Sequence, residues 1–542
     1  MSQTWITRRY ADVWLPTAVT FVAAAAIAYW LLATGHPHED AYILYIYAEE
    51  LARGEGITYF SGGPPIEGAT DFLWMVLLAG FGAIGVDVAV AAGGLNALGL
   101  AVLTLLGSLA ARDRERPVQS LLIGLVLAML VTVSPMAAAS YFGFSTGLYV
   151  AATSACGVLL YRRRTALLPL VPAVGLLLGL LRPDGVVIGV AYTLTAAVVV
   201  FKTPARNRFL AIGAASAAIG LVYFAWRAHY FGEWLPLPLY VKGMTGAILP
   251  GLPANVSWAL GAAPLFALTG IGLWLAPKMR WGALLAAVGP VALLLFLLFG
   301  ENTQNAAYRF QAPATALLTL GAAAAAPHIR RSHGFVQAAA LLCVALLGWR
   351  WTDYALNSAR LIREEVYINY FPSVLAPDVP ENATIALTEA GRFAYWLPGD
   401  TYDLVGLNTA ATAKEGPSVD FLTDLEPDLI FVHTAGTLDG AGCGGPVICA
   451  LDVDSLLERR TELFRSSSPS RVVQAPISAV AFLDEARAYD VFLVQYPASR
   501  PDGFAHLYAV KRGGRIDPSD FRRALEQSFE PSARQSYLQL KE

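Results

Sequence analysis

Apolar runs long enough to enter a lipid bilayer recur along the first two thirds of this 542-residue chain, and no other feature limits its fold so strongly. A helix of about 20 apolar residues rises about 30 Å, the thickness of bilayer hydrocarbon, and satisfies its own backbone hydrogen bonds there. The runs cover residues 15–34, 88–111, 118–134, 146–161, 166–181, 185–201, 209–226, 256–276, 281–299, 310–326 and 335–349, which predicts about 11 spans. Only 15% of the residues are charged, against about a quarter in a soluble domain, so much of the chain must meet lipid. The first run follows Arg8 and Arg9 without a small-residue cleavage signature, so it reads as a retained helix.

Loop charge sets the expected orientation. With the N-terminus cytoplasmic, the clusters Arg112/Arg114/Arg116, Arg162/Arg163/Arg164, Lys202/Arg206/Arg208, Lys278/Arg280 and Arg330/Arg331 all fall on the cytoplasmic side. An odd number of spans then leaves the chain beyond Trp351 outside. The apolar stretch 72–84 is too short to cross and would invert the arginine clusters if it did. It reads as an interfacial or re-entrant helix within a first external loop, residues 35–87.

The expected organisation is a transmembrane domain over residues 1–351 and a periplasmic or extracellular α/β domain over 352–542 of a bacterial plasma-membrane protein. In the second part, β-rich runs at 384–388, 428–433, 490–496 and 506–511 alternate with helical patterns at 453–464 and 519–529. Cys443 and Cys449 lie in a Gly-rich stretch there and suit a local disulfide, whereas Cys156 and Cys343 read as packing residues in membrane helices. A net charge of -3 without a basic block excludes nucleic acid as a partner.

Ionisable groups left at the outer rim need a reason. His36-Pro37-His38-Glu39-Asp40 follows the first span, and Asp40 opens an amphipathic pattern to Arg53 with Tyr42, Tyr45 and Tyr47 along it. Two readings fit Asp40: a helix cap on an interfacial helix, or a general base at the membrane surface. His36, His38, Glu39 and Asp40 together resemble a divalent-metal set, but four neighbouring residues before a helix converge poorly on one ion, so no cofactor is assigned. The rim cations are Arg182, Arg227, Lys242 and Arg309, which would either snorkel or bind an anionic group such as a lipid phosphate.

Several motifs recur together in one order: His38-Glu39-Asp40-Ala41-Tyr42-Ile43, Gly54-Glu55-Gly56, and Pro65-Ile66-Glu67-Gly68-Ala69-Thr70-Asp71-Phe72-Leu73-Trp74 in the first loop. Then come Arg182-Pro183-Asp184-Gly185, Tyr230-Phe231-Gly232 with Leu235-Pro236 and Tyr240-Val241-Lys242, and Tyr308-Arg309-Phe310. Gly391-Arg392-Phe393-Ala394-Tyr395 and Asp403-Leu404-Val405-Gly406-Leu407-Asn408 follow in the second domain. This set resembles GT-C-type polyprenyl-phosphate-dependent membrane glycosyltransferases, most of all the actinobacterial terminal arabinofuranosyltransferase branch. It departs at Glu39, where the family often has a second Asp, and at Gly143-Phe144-Ser145-Thr146, which lacks an expected acid. It departs again at Leu237-Pro238, which replaces an Asn-Thr.

The resemblance implies an inverting transfer of a sugar, arabinofuranose favoured, from polyprenyl phosphate to a cell-envelope glycan or glycolipid. Asp40 would be the base, with Glu39 stabilising developing positive charge. Arg309, Lys242, Arg182 and Tyr308 would hold the donor phosphate. Tyr42, Glu67, Asp71, Trp74 and Tyr240 would contact substrate. A multi-span transporter or an envelope scaffold with a glycan-binding domain is the alternative, though the spans show no inverted repeat.

Overall fold

The computed structural model describes residues 10–241, 248–300, 304–364, 372–434, 448–451, 453–458, 471–495 and 505–528. Its N-terminal part is a bundle of apolar helices. They are α1 (Ala11–Thr34), α2 (Glu39–Arg53), α3 (Phe72–Gly82), α4 (Val88–Ala111), α5 (Pro117–Thr132), α6 (Pro135–Tyr141), α7 (Thr146–Arg162), α8 (Val171–Leu181), α9 (Gly185–Val200) and α10 (Arg206–Phe231). After these come α11 (Leu252–Gly261), α12 (Ala263–Leu275), α13 (Arg280–Leu297), α14 (Ala312–Arg330) and α15 (Gly334–Glu364).

Among the described residues six helices are long and apolar enough to cross a membrane, or eight if α5–α6 and α11–α12, bent by 51° and 66°, each form one span. The remaining expected spans are the shorter α7, the helical stretch Leu168–Leu181 and α9. The bends follow from sequence. Ser134 ends one helix and caps the next by accepting the Ala137 N–H, and Pro135 takes the first position, where its missing N–H is harmless.

Small residues let the helices approach closely, the usual means of association where lipid removes the hydrophobic drive. A Cβ at Gly99 of α4 would lie 2.2 Å from the Gly147 backbone of α7. Buried Asn96 of α4 adds a polar clamp. Its amide donates to the carbonyls of Ser140 and Phe144 at 3.2 and 2.8 Å, and its oxygen accepts the Gly147 N–H at 2.8 Å. The loop carrying Phe144 and Ser145 is thereby fixed.

Ion pairs mark the two ends of the bundle. Arg112 binds Asp12 at 2.8 Å, and Arg330 and Arg331 bind Asp113 at 2.5 and 2.9 Å, all at one end. The first-loop helices α2 and α3 and the C-terminal domain lie at the other. Helix α3 is the short apolar stretch expected not to cross, and it packs on α2, α4 and α8. Helix α2 differs from the expected surface helix, because Tyr42, Tyr45 and Tyr47 are all buried rather than forming a belt. The C-terminal domain covers them, and its core merges with theirs.

That domain carries the sheet. Strands β1 (Thr384–Leu387), β2 (Asp400–Asp403), β3 (Leu429–His433), β4 (Ile448–Leu451), β5 (Tyr489–Gln495) and β6 (Ala505–Lys511) lie in the order β2-β1-β3-β6-β5-β4. The β2-β1-β3 part is parallel and the rest antiparallel. The short helix α16 (Arg392–Trp396) follows β1, while α17 (Arg471–Ala486) and α18 (Pro518–Ser528) flank the sheet. The expected α/β character is present. Strands β2 and β4 and helix α17 were not anticipated. Cys443 and Lys242 lie outside the described residues, as does the side chain of Cys449, so the expected disulfide falls there too.

Candidate active site

Helix α2 starts one residue earlier than its amphipathic pattern suggests. His38 is the cap, its Nδ1 accepting the Asp40 N–H at 3.2 Å. Asp40 therefore sits in the first turn with its carboxylate free to face outward from the helix. Arg309, on the turn before α14, donates to Asp40 Oδ2 at 3.3 Å. Reaching that position strains the backbone: Gln304, Ala307 and Tyr308 have φ of +58°, +55° and +53°, a region side chains rarely adopt.

The Arg309 guanidinium lies 3.8 Å from the Phe144 ring centre, on the loop that Asn96 holds. Next to Phe144, Ser145 donates to Asp71 Oδ2 at 2.8 Å. Arg182 stands nearby, forked onto Asp184 at 3.0 and 3.3 Å. The Phe310 ring lies within reach of both guanidinium groups, 5.4 Å from Arg182 and 5.2 Å from Arg309. Elements far apart in sequence thus bring three carboxylates and two arginines to the end of the bundle beneath the C-terminal domain.

Burial shapes the charges here. It pushes the Asp71 carboxyl up from its ordinary value, with Arg182 and the Ser145 hydroxyl opposing. Burial also weakens the hold of Arg309 on its proton, with Asp40 opposing. At Arg182 burial acts the same way, but Asp184 and Asp71 outweigh it and keep the group charged. Arg309 is the telling residue. It is buried, a single hydrogen bond links its side chain to Asp40, and its Nε has no acceptor among the described residues. A buried cationic donor without an acceptor carries a desolvation penalty of about 1–3 kcal/mol or more, which an anionic ligand would relieve.

Other sequence candidates lie elsewhere. Both Glu39 oxygens face the C-terminal domain, accepting the N–H groups of Gly391 and Arg392 at 2.7 and 3.1 Å. Gly391 is required by this approach, since a Cβ there would fall 2.0 Å from the Glu39 carbonyl oxygen. Burial pushes the Glu39 carboxyl up, with Arg392 opposing. Glu67 forms a buried pair with Arg227, whose Nε lies 2.8 Å from Oε2 and whose Nη1 reaches the Trp234 carbonyl at 2.7 Å. Tyr42 packs its ring on Tyr395, 5.0 Å away, and Trp74 is fully buried in the core joining loop and domain. The Tyr308 hydroxyl pairs with Ser257 at 2.8 Å, and Tyr240 stands near Lys414 of the C-terminal domain. His36 meets the carbonyl of Pro37.

Sequence reasoning did not single out Ser145, Phe144 or Asp184 as site residues. The departure at Gly143-Phe144-Ser145-Thr146 was the available signal, because Ser145 occupies the ground where an acid was expected. Cavities of 420 and 620 Å³ lie between the bundle helices, lined mainly by apolar side chains such as Leu127, Leu268 and Leu317. They do not coincide with the Asp40 cluster, whose chemistry and not its volume marks it.

Bundle, buried first loop and C-terminal sheet together form a polytopic α-helical membrane fold of the type found in GT-C glycosyltransferases. Comparison with solved structures agrees. ArnT from Cupriavidus metallidurans in the apo state is 15% identical over 91% of this chain and 97% of its own, with a TM-score of 0.50. ArnT bound to undecaprenyl phosphate is 14% identical over 94% and 98%, with a TM-score of 0.52. The apo oligosaccharyltransferase of Archaeoglobus fulgidus is 11% identical over 91% and 88%, with a TM-score of 0.45. At such identities the likeness to ArnT speaks for the fold. Residues 361–492 match a family described as a domain of unknown function, DUF8728, and no curated protein matches the chain.

Proposed function

We propose that this protein is an inverting glycosyltransferase that moves a sugar from a polyprenyl-phosphate donor to a cell-envelope glycan or glycolipid. The reading rests on one observation above all, the buried Arg309 guanidinium beside Asp40 with an Nε that has no acceptor among the described residues. The donor phosphate would take Arg309 and release Asp40. Asp40 would then remove the proton of an acceptor hydroxyl as its oxygen attacks the anomeric carbon. The bond from that carbon to the phosphate oxygen breaks in the same displacement, and the polyprenyl phosphate leaves with its added charge facing Arg309 and Arg182. One displacement inverts the anomeric configuration.

Lys242 and Tyr308 would complete the proposed phosphate contacts, and Asp71, which accepts from Ser145, would meet the sugar. Tyr42, Glu67, Trp74 and Tyr240 support this site through packing and loop position. Glu39 takes a positioning role, tying the start of α2 to the C-terminal domain and contributing negative potential behind Asp40. The Arg112 and Arg330 pairs lie at the end opposite Asp40, and positive loop charge supports a reading in which that end faces the cytoplasm and the site faces outside.

The motif likeness favours arabinofuranose. Incubating the purified protein with a panel of polyprenyl-phosphate sugars should show which donor loses its sugar, and Asp40→Asn should slow that loss by about 10² or more. Turnover of no donor, or an Asp40→Asn rate within a few-fold of wild type, would overturn the assignment.

A further inference from the structure

The sheet face that packs on helix α2 is built from alternate residues. Leu429, Phe431 and His433 of β3 point to it, and so do Val510, Tyr508 and His506 of β6, paired with them in register. Most of this face is apolar and covered by Phe393, whose ring stacks on Phe431 at 3.7 Å. At its edge two imidazoles stand side by side, His433 and His506, with ring centres 5.3 Å apart. The chain leaving β1 brings Glu389 to the same point, its Oε1 lying 3.1 Å from His433 Nδ1. One ligand-type atom from each of the three residues falls within 4.8 Å of the others.

We propose that Glu389, His433 and His506 bind a divalent transition-metal ion of the zinc type in the C-terminal domain. Two imidazoles and one carboxylate, with a remaining open position, form a donor set that suits this ion. A separation of 3.1 Å between Oε1 and Nδ1 serves two ligands of one tetrahedral ion as well as it serves a hydrogen bond.

Charge balance points the same way. Arg392 contacts Glu389 Oε2 at 2.9 Å and Glu39 Oε2 at 3.1 Å, so two carboxylates share one guanidinium. Arg392 also reaches Glu389 Oε1 at 3.1 Å, so it orients the carboxylate through both oxygens, and a bound cation would offset the negative charge that remains. The metal would brace the turn from Glu389 to Arg392, whose N–H groups hold Glu39. This inference does not depend on the proposed transferase activity.

The test uses the full chain in detergent, stripped with a chelator, loaded with Zn²⁺ alone and desalted. Elemental analysis should find about one zinc per chain in wild type, as for a three-residue site. Glu389→Gln, nearly isosteric, and His433→Ala, the more exposed imidazole, should each lower zinc affinity by about tenfold or more. Substituting Co²⁺ for Zn²⁺ should give visible absorption of a four- or five-coordinate site, lost in both variants. Zn²⁺ should also raise the unfolding temperature of wild type but not of the variants. Wild type retaining no more zinc than the Glu389→Gln/His433→Ala double variant would overturn the proposal and leave a His–Glu hydrogen bond in its place.

Discussion

Removing the Arg309 guanidinium gives the sharpest test of the proposed phosphate site, because two readings predict opposite results. In the first, Arg309 meets the donor phosphate through a terminal nitrogen and its Nε, which has no acceptor among the described residues. A hydrogen bond to a charged group contributes about 1.5–3 kcal/mol. At roughly 1.4 kcal/mol per factor of ten, Arg309→Ala should weaken binding of a non-hydrolysable polyprenyl-phosphate analogue about 10- to 150-fold. Arg309→Lys should recover only part, since a point charge cannot reproduce the planar fork and reaches Asp40 and phosphate less readily together. In the second reading Arg309 only braces Phe144 and Asp40. Unfolding temperature would then fall while analogue affinity stayed put. Titration calorimetry of the protein in nanodiscs, with thermal unfolding of the same samples, separates the two. Wild-type affinity in both folded variants would refute the phosphate role of Arg309 and turn attention to Arg182.

The buried pair between Glu67 and Arg227 should be structural: Arg227→Met strands a buried carboxylate and should destabilise the protein by about 3–5 kcal/mol, whereas Arg227→Met/Glu67→Leu should regain most of it, as read by thermal unfolding. Glu39→Gln keeps one acceptor for two N–H groups, so it should loosen the C-terminal domain by about 1–3 kcal/mol, seen as faster proteolysis near residue 391, with turnover less affected than in Asp40→Asn. At Asp428 burial opposes the charge, but the N–H groups of Thr384 and Arg515 and the Arg515 guanidinium outweigh it and hold the carboxyl below its ordinary 3.8. A lowered folded value means the contribution is present above that pH and lost as acid takes the pH below it, so Asp428→Asn should flatten the acid side of the stability profile. A fluorescence melt series in which wild type and Asp428→Asn lose stability in parallel below about pH 4 would refute this.

The amino-acid sequence by itself determined where the apolar helices of the bundle fall along the chain. Its signal there is local: an apolar run of spanning length can satisfy its backbone in lipid only as a helix. Strands β1, β3, β5 and β6 were legible for the same reason, since each is a short apolar run bounded by polar residues. Strand β2 was not, because Asp400-Thr401-Tyr402-Asp403 has a polar composition and becomes a strand only by pairing with β1. Helix α17 was hidden by Pro476 within it, which interrupts a helical pattern while the surrounding core holds the helix together. In the site, the motifs already contained Asp40, Asp71, Arg182 and Arg309, but not who faces whom. Tertiary structure decided that Asp40 pairs with Arg309, that Glu39, one residue before it, turns to the C-terminal domain, and that Glu67 belongs to Arg227. Neighbours on a helix point about 100° apart, so adjacency in sequence separates them in space. What joins Asp40 to Arg309, or Glu389 to His506, is helix packing and sheet register, which exist only once distant segments have met.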